Sequence, residues 1–158
     1  MDMQETAISI SLLNHHASIE KYVLPLAKAG NILLLQGQLG AGKTTLVKAL
    51  MHQLGIVDTI SSPTFSYVNT YALTAKHDLV VHHFDLYRLN SLDEFIMQGF
   101  DEFLQQKNAL VIIEWPEILL PFFDQHKNIF NKIFLLNLKH DFSQQDIRHL
   151  TLSCVKQR

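Results

Sequence analysis

The chain is short of cysteine, arginine and long apolar runs. Its one cysteine, Cys154, excludes an intrachain disulfide and suits a reducing cytoplasm. Only three arginines are present, Arg88, Arg148 and Arg158, and net charge is −2. That balance gives no broad basic footprint for nucleic acid, so tight RNA binding by this chain alone is not expected. Residues Met1 to Thr6 carry no basic leader region, and no apolar run approaches the length of a membrane span. The nine histidines are scattered. The doublets His15-His16 and His82-His83 point apart on a strand, so neither forms a natural metal pair. What remains is an ordinary globular composition, 47% hydrophobic and 18% charged in 158 residues. That is enough for one domain, residues 1–158, with a real core.

Glycine is sparse, six in all, yet Gly37, Gly40 and Gly42 fall in one stretch, Gly37-Gln38-Leu39-Gly40-Ala41-Gly42-Lys43-Thr44. This fits the Walker A pattern G-x-x-x-x-G-K-[ST] at every fixed position. At ordinary residue frequencies a chance match in a chain of this length is about half a per cent. The flanks agree. Ile32 to Leu35 reads as a buried parallel strand running into the loop. Leu46, Val47, Ala49, Leu50 and Leu54 are spaced as the inner face of a helix that Gly55 stops. Strand, glycine loop and helix N-terminus together make an anion site. Lys43 is placed to neutralise the β- and γ-phosphates of a nucleotide, and the Thr44 hydroxyl to hold Mg²⁺.

In order, residues 7–12 alternate as a half-exposed strand. Asn14 can cap a helix carrying Ile19, Val23, Leu26 and Ala27 inward, kinked at Pro25 and ended by Gly30. Ser61 to Phe65 is a rigid polar corner leading into a strand over 66–71. Residues 79–84 read as a strand ending at Asp85, and Ser91 caps a short helix that Gly99 breaks. Ala109 to Ile113, the most apolar run, is a central strand buried on both faces and ends at Glu114. Residues 132–155 read as a hairpin. The pattern predicts an α/β fold: a three-layer P-loop NTPase sandwich with a mixed, mainly parallel central sheet and a C-terminal β-hairpin.

Ligands in such sheets sit beyond the carboxyl ends of the strands, where Asp85 and Glu114 fall. Glu114, with the purer apolar strand, is assigned to the Mg²⁺ shell. Asp85 is assigned to the metal shell or to the attacking water, and the two can exchange roles. Thr64 lies where a nucleotide-sensing switch would sit, or is a simple turn residue beside Pro63. Trp115 is either a core aromatic or a lid beside the nucleotide.

Gly40-Ala41-Gly42-Lys43-Thr44-Thr45, Ser62-Pro63-Thr64-Phe65, His83-Phe84-Asp85-Leu86-Tyr87-Arg88-Leu89 and Glu114-Trp115-Pro116 occur in this order and spacing. Together they resemble the TsaE family, bacterial P-loop ATPases needed to make threonylcarbamoyladenosine in tRNA. The resemblance runs from about Asn14 to Leu152. It implies a small cytoplasmic ATPase, weak alone, that docks on the TsaB–TsaD heterodimer and resets it between rounds of tRNA modification. TsaD would transfer the threonylcarbamoyl group. The resemblance places phosphates on Gly40 to Thr45, with Gly42, Ala41 and Lys43 in the loop. It places Mg²⁺ on Thr44 and Glu114, and gives catalytic parts to Lys43, Glu114 and Asp85. Thr64 and Trp115 would respond to nucleotide or partner, and the loop at Asn14-His15 and the terminal hairpin would flank the base. Family members often carry an acid at the position of Gln38. The rivals are a small-metabolite P-loop kinase, for which Arg88 is the plausible lid arginine, and a nucleotide-gated binding module without catalysis. A GTPase would need Asn-Lys-x-Asp, and Asn137-Leu138-Lys139-His140-Asp141 has the wrong spacing.

Overall fold

A computed structural model describes residues 5–11, 15–57, 59–63, 65–73 and 79–156. Thr64 and Asn14 lie outside the described residues. Seven strands form one sheet: β1 (Glu5–Ser11), β2 (Asn31–Gln36), β3 (Val68–Leu73), β4 (Leu79–Asp85), β5 (Ala109–Glu114), β6 (Lys132–His140) and β7 (Ile147–Lys156). Their order is β1-β7-β6-β2-β5-β4-β3. The central four, β6, β2, β5 and β4, are parallel. The flanks are antiparallel: β3 returns on β4, and β7 on β6, with β1 closing on β7.

Side-chain alternation along β2 explains the layering. Leu33 and Leu35 face one core with Leu110 and Ile112, under α2 (Lys43–Leu54). Ile32 and Leu34 face the other with Val111 and Ile113, under α3 (Leu92–Met97) and α4 (Leu120–His126). A strand covered on both faces must be apolar at every position, which is why β2 and β5 read as continuous hydrophobic runs. On α2, Leu46, Val47, Leu50, Met51 and Leu54 are buried. Each stabilises the fold by about 1.5–3 kcal/mol relative to exposure. Gly55, at φ 91°, ends the helix in the left-handed conformation, its N–H bonded back to the His52 carbonyl.

The first helical stretch departs from regular geometry. It begins as α1 (His16–Ser18), widens into a π-helical turn over Ile19–Val23 and tightens into a 3-10 turn over Leu24–Leu26. Pro25 sits in the first positions of that last turn, where its missing N–H costs no helical bond. Ser91 caps α3 as expected, accepting the Glu94 N–H at 3.2 Å. Gly99, at φ 72°, separates α3 from a 3-10 turn over Phe100–Gln105. No helix among the described residues is long and apolar enough to cross a membrane.

Candidate functional site

The parallel strands β2, β4 and β5 end on one side of the sheet, and the residues beyond them line a cavity of about 410 Å³. The loop from β2 to α2 forms its floor. Two glycines there have no substitute. Gly37 has φ 146°, and a Cβ on it would lie 2.5 Å from the Leu138 carbonyl oxygen of β6. Gly42 has φ 98° and is the N-cap of α2. The first N–H groups of a helix have no intrahelical partner, so the peptide donors entering α2 are available to an anion in the cavity.

Lys43, 5% exposed, folds back across this loop. Its Nζ donates to the carbonyls of Gly37 at 2.6 Å and Gln38 at 3.0 Å. The same ammonium lies 3.7 Å from the centroid of the Trp115 ring, within cation–π range. Burial lowers the Lys43 pKa from the ordinary lysine value, opposed by the charges of Glu114, Glu117 and Asp85.

Asp85 and Glu114 are register partners at the adjacent ends of β4 and β5. They face the α2 side because each lies an even number of residues from Val81 and Ile112 of that core. Glu114 is 1% exposed with both oxygens engaged. Oε2 accepts the Thr44 hydroxyl at 2.8 Å, and Oε1 lies 2.8 Å from His83 Nε2. Asp85 Oδ2 accepts the Ser62 hydroxyl at 2.7 Å, and Oδ1 accepts the Tyr87 N–H at 3.1 Å. The Thr44–Glu114 pair suits Mg²⁺. Both donors are hard oxygens, and two adjacent oxygens on an octahedral Mg²⁺ stand about 2.9 Å apart. The hydrogen-bonded spacing of 2.8 Å is close to that value.

Trp115 sits at φ 58°, a left-handed conformation rare for an aromatic residue. Its N–H bonds to the Leu35 carbonyl at 3.2 Å, and its ring leans on Tyr87, centroids 4.9 Å apart. It is half-buried, lining the cavity while packing against the second core. Arg88 also lines the cavity, its guanidinium 4.8 Å from the centroid of the exposed Phe65 ring. The structure thus brings Gly40, Ala41, Gly42, Lys43, Thr44 and Thr45 together with Asp85, Glu114 and Trp115.

Two residues of the site have no individual role assigned from the sequence. His83 is fully buried, and its second nitrogen, Nδ1, has no hydrogen-bond partner among the described residues. Arg148, on β7, donates its Nε to the Ala41 carbonyl at 3.1 Å. His83 opens the segment over 83–89 that carries the resemblance and lies an even number of residues from Asp85 on its strand, but neither signal marks its contact with Glu114. Nothing local marked Arg148. His15, expected near the base, lines a small crevice with Thr45 and Arg148 behind the loop.

The parallel sheet core, the glycine loop entering α2 and the acids at the neighbouring strand ends define the P-loop NTPase class of fold. Comparison with known proteins narrows this. Residues 12–147 match the model of the family described as threonylcarbamoyl adenosine biosynthesis protein TsaE, and the chain belongs to that family. The tRNA threonylcarbamoyladenosine biosynthesis protein TsaE of Synechocystis is 46% identical over 96 residues, covering 57% of each chain. That of Borreliella burgdorferi is 40% identical over 99 residues, covering 63% of this chain and 67% of its own. These alignments leave a third or more of each relative unmatched. The crystal structure of Bacillus subtilis YdiB shares the fold, with a TM-score of 0.67 at 24% identity over 99% of this chain and 89% of that one.

Proposed function

We propose that the chain is a Mg²⁺-dependent ATPase of the tRNA threonylcarbamoyladenosine modification machinery. It acts in the cytoplasm on a TsaB–TsaD heterodimer, and the tRNA is handled by the complex. The observation that carries the reading is the Thr44–Glu114 pair, 2.8 Å apart beside the helix N-terminus that follows the glycine loop. It sets two hard oxygens that would hold a divalent cation beside a helix N-terminus that would hold the phosphates.

Chemically, Lys43 would leave the Gly37 and Gln38 carbonyls for the β- and γ-phosphate oxygens. Thr44 and Glu114 would hold Mg²⁺, which when bound neutralises charge developing on the phosphates. Asp85 is held by Ser62 and the Tyr87 N–H. That grip fixes a carboxylate at the cavity wall, able to orient a water for in-line attack. Trp115 would move with Lys43, since the ammonium rests on its ring.

The test is phosphate release from ATP by the purified chain, alone and with a TsaB–TsaD pair. Weak activity alone and at least about tenfold stimulation by the pair is the expected result. Strong activity alone, unchanged by the pair, points to a self-contained P-loop enzyme and a search for a phosphoryl acceptor. Lys43→Ala should lose ATP binding, and unchanged affinity removes the loop from the site.

A further inference from the structure

Arg148 is buried, 8% exposed, at the start of β7, two strands away from the strand that carries the glycine loop. Besides the Ala41 carbonyl, its guanidinium donates to the carbonyls of Gln145 at 2.6 Å and Ile147 at 2.9 Å. Among the described residues it forms no ion pair. A buried guanidinium held by carbonyls alone is an expensive choice for a fold, because an apolar side chain of similar volume avoids the desolvation. Two of its three partners belong to its own hairpin. The third, Ala41, is 107 residues away and 1% exposed, between Gly40 and Gly42.

The consequence follows from peptide geometry. A trans peptide is planar, so its N–H points opposite to its C=O. The Ala41 carbonyl shares a peptide with the Gly42 N–H. Pinning the carbonyl toward Arg148 aims that N–H away from β7. The same hairpin lies close against the loop's other end, where the Leu138 carbonyl leaves no room for a side chain on Gly37. The loop therefore packs against β6 at Gly37 and is hydrogen-bonded to β7 at Ala41.

We propose that Arg148 is a positioning residue for nucleotide binding, holding the Ala41–Gly42 peptide so that its N–H is preset toward the phosphates. The inference rests on the nucleotide-binding reading above. The brace acts on the loop and not on the γ-phosphate, so it serves MgATP and MgADP alike.

Calorimetric titration of MgATP and MgADP into the full chain tests it, with wild type, Arg148→Met and Arg148→Lys. The methionine variant removes charge and donors. The lysine variant keeps the charge and loses the fixed Nε–H. Both are expected to bind the two nucleotides more weakly, the methionine variant by about tenfold or more, as for loss of a charge-assisted hydrogen bond. In the assembled complex KM for ATP should rise by a larger factor than kcat falls. Wild-type affinity in both variants overturns the inference. Wild-type affinity in the lysine variant alone shows that charge, not positioning, is the contribution, and overturns it too. Should the methionine variant fail to fold, the lysine variant still decides. A wild type that binds neither nucleotide overturns the nucleotide reading itself, and this inference with it.

Discussion

At the scale of single residues, the site is held by contacts among its own side chains. Glu114 is fixed from both sides: Thr44 on one oxygen and His83 on the other. With Glu114 Oε1 as the acceptor, His83 donates from Nε2, and Nδ1 has no hydrogen-bond partner among the described residues. An unpartnered buried nitrogen costs about 1–3 kcal/mol, so packing alone favours an apolar residue at this position. The Nε2 bond to Glu114 offsets part of that cost and holds the carboxylate in one orientation. His83→Leu should therefore raise the Mg²⁺ concentration for half-maximal activity by about 10-fold or more, the usual size of such supporting contacts. His83→Gln keeps a donor at similar reach and should recover most of the loss. A magnesium titration checks both, and coincident curves for the leucine variant and wild type remove His83 from this role. The residues proposed to hold MgATP are legible in the sequence because they carry fixed spacing or end an apolar strand. His83 and Arg148 meet their partners 31 and 107 residues away, and no local pattern records such a contact. The backbone of Trp115 is equally silent, since its positive φ is imposed by the N–H bond to Leu35 and the packing on Tyr87.

At the scale of elements, legibility follows how local the cause is. The unit from β2 through α2 is written in periodicity and glycine placement, and it falls where expected. The Ser91 cap and the Gly99 break are likewise local. The first helix is not. Its widening over Ile19–Val23 coincides with full burial of Ile19 and Val23 against α2, a tertiary demand that helix spacing does not encode. The strand expected over 66–71 begins later, at Val68. Tyr67 instead turns at φ 61° and gives its carbonyl to the Asp85 N–H. The β3–β4 edge also holds a pH-sensitive contact. His82 is buried, with Nε2 2.8 Å from the Gln106 side-chain oxygen Oε1 and Nδ1 2.9 Å from the Thr70 hydroxyl. Burial lowers its pKa from 6.5, opposed by the Gln106 bond. The unfolded chain therefore binds this proton more readily than the folded one. The stability held by neutral His82 is full above the unfolded pKa and declines as pH falls through and below it. Thermal unfolding from pH 8 to pH 5 should show a falling midpoint in wild type. The fall should be shallower in His82→Gln, and parallel curves would count against the assignment.

At the scale of the whole molecule, the sheet order decides what the site can respond to. The glycine loop leaves β2, between β5, which carries Glu114, and β6, which leads into the hairpin. On the proposed reading, a change at the phosphates would have two outlets. One runs through Glu114 and Asp85 to Tyr87 and Trp115, the other through Ala41 and Arg148 to the hairpin. The mouth of the cavity adds exposed apolar groups, Leu39 at 74% and Tyr87 at 54%, which water does not favour. This arrangement suits a chain whose nucleotide state is read by a partner, and it separates two ways of working. If hydrolysis only ends a docked state set by ATP, then blocking hydrolysis should prolong docking. If hydrolysis is needed to dock, the block should abolish it. Asp85→Asn tests the two, because it removes the charge that orients water while leaving the loop, Lys43 and the Thr44–Glu114 pair in place. On the proposed reading its turnover with the TsaB–TsaD pair drops about 10²–10⁴-fold, the range for a lost general base. ATP affinity should change much less, since no phosphate contact is assigned to Asp85. Co-sedimentation with the pair in MgATP should then show a complex that outlasts the wild-type one. Wild-type turnover removes Asp85 from the chemistry. Lost turnover with no complex in MgATP makes hydrolysis a condition of docking, not the event that ends it.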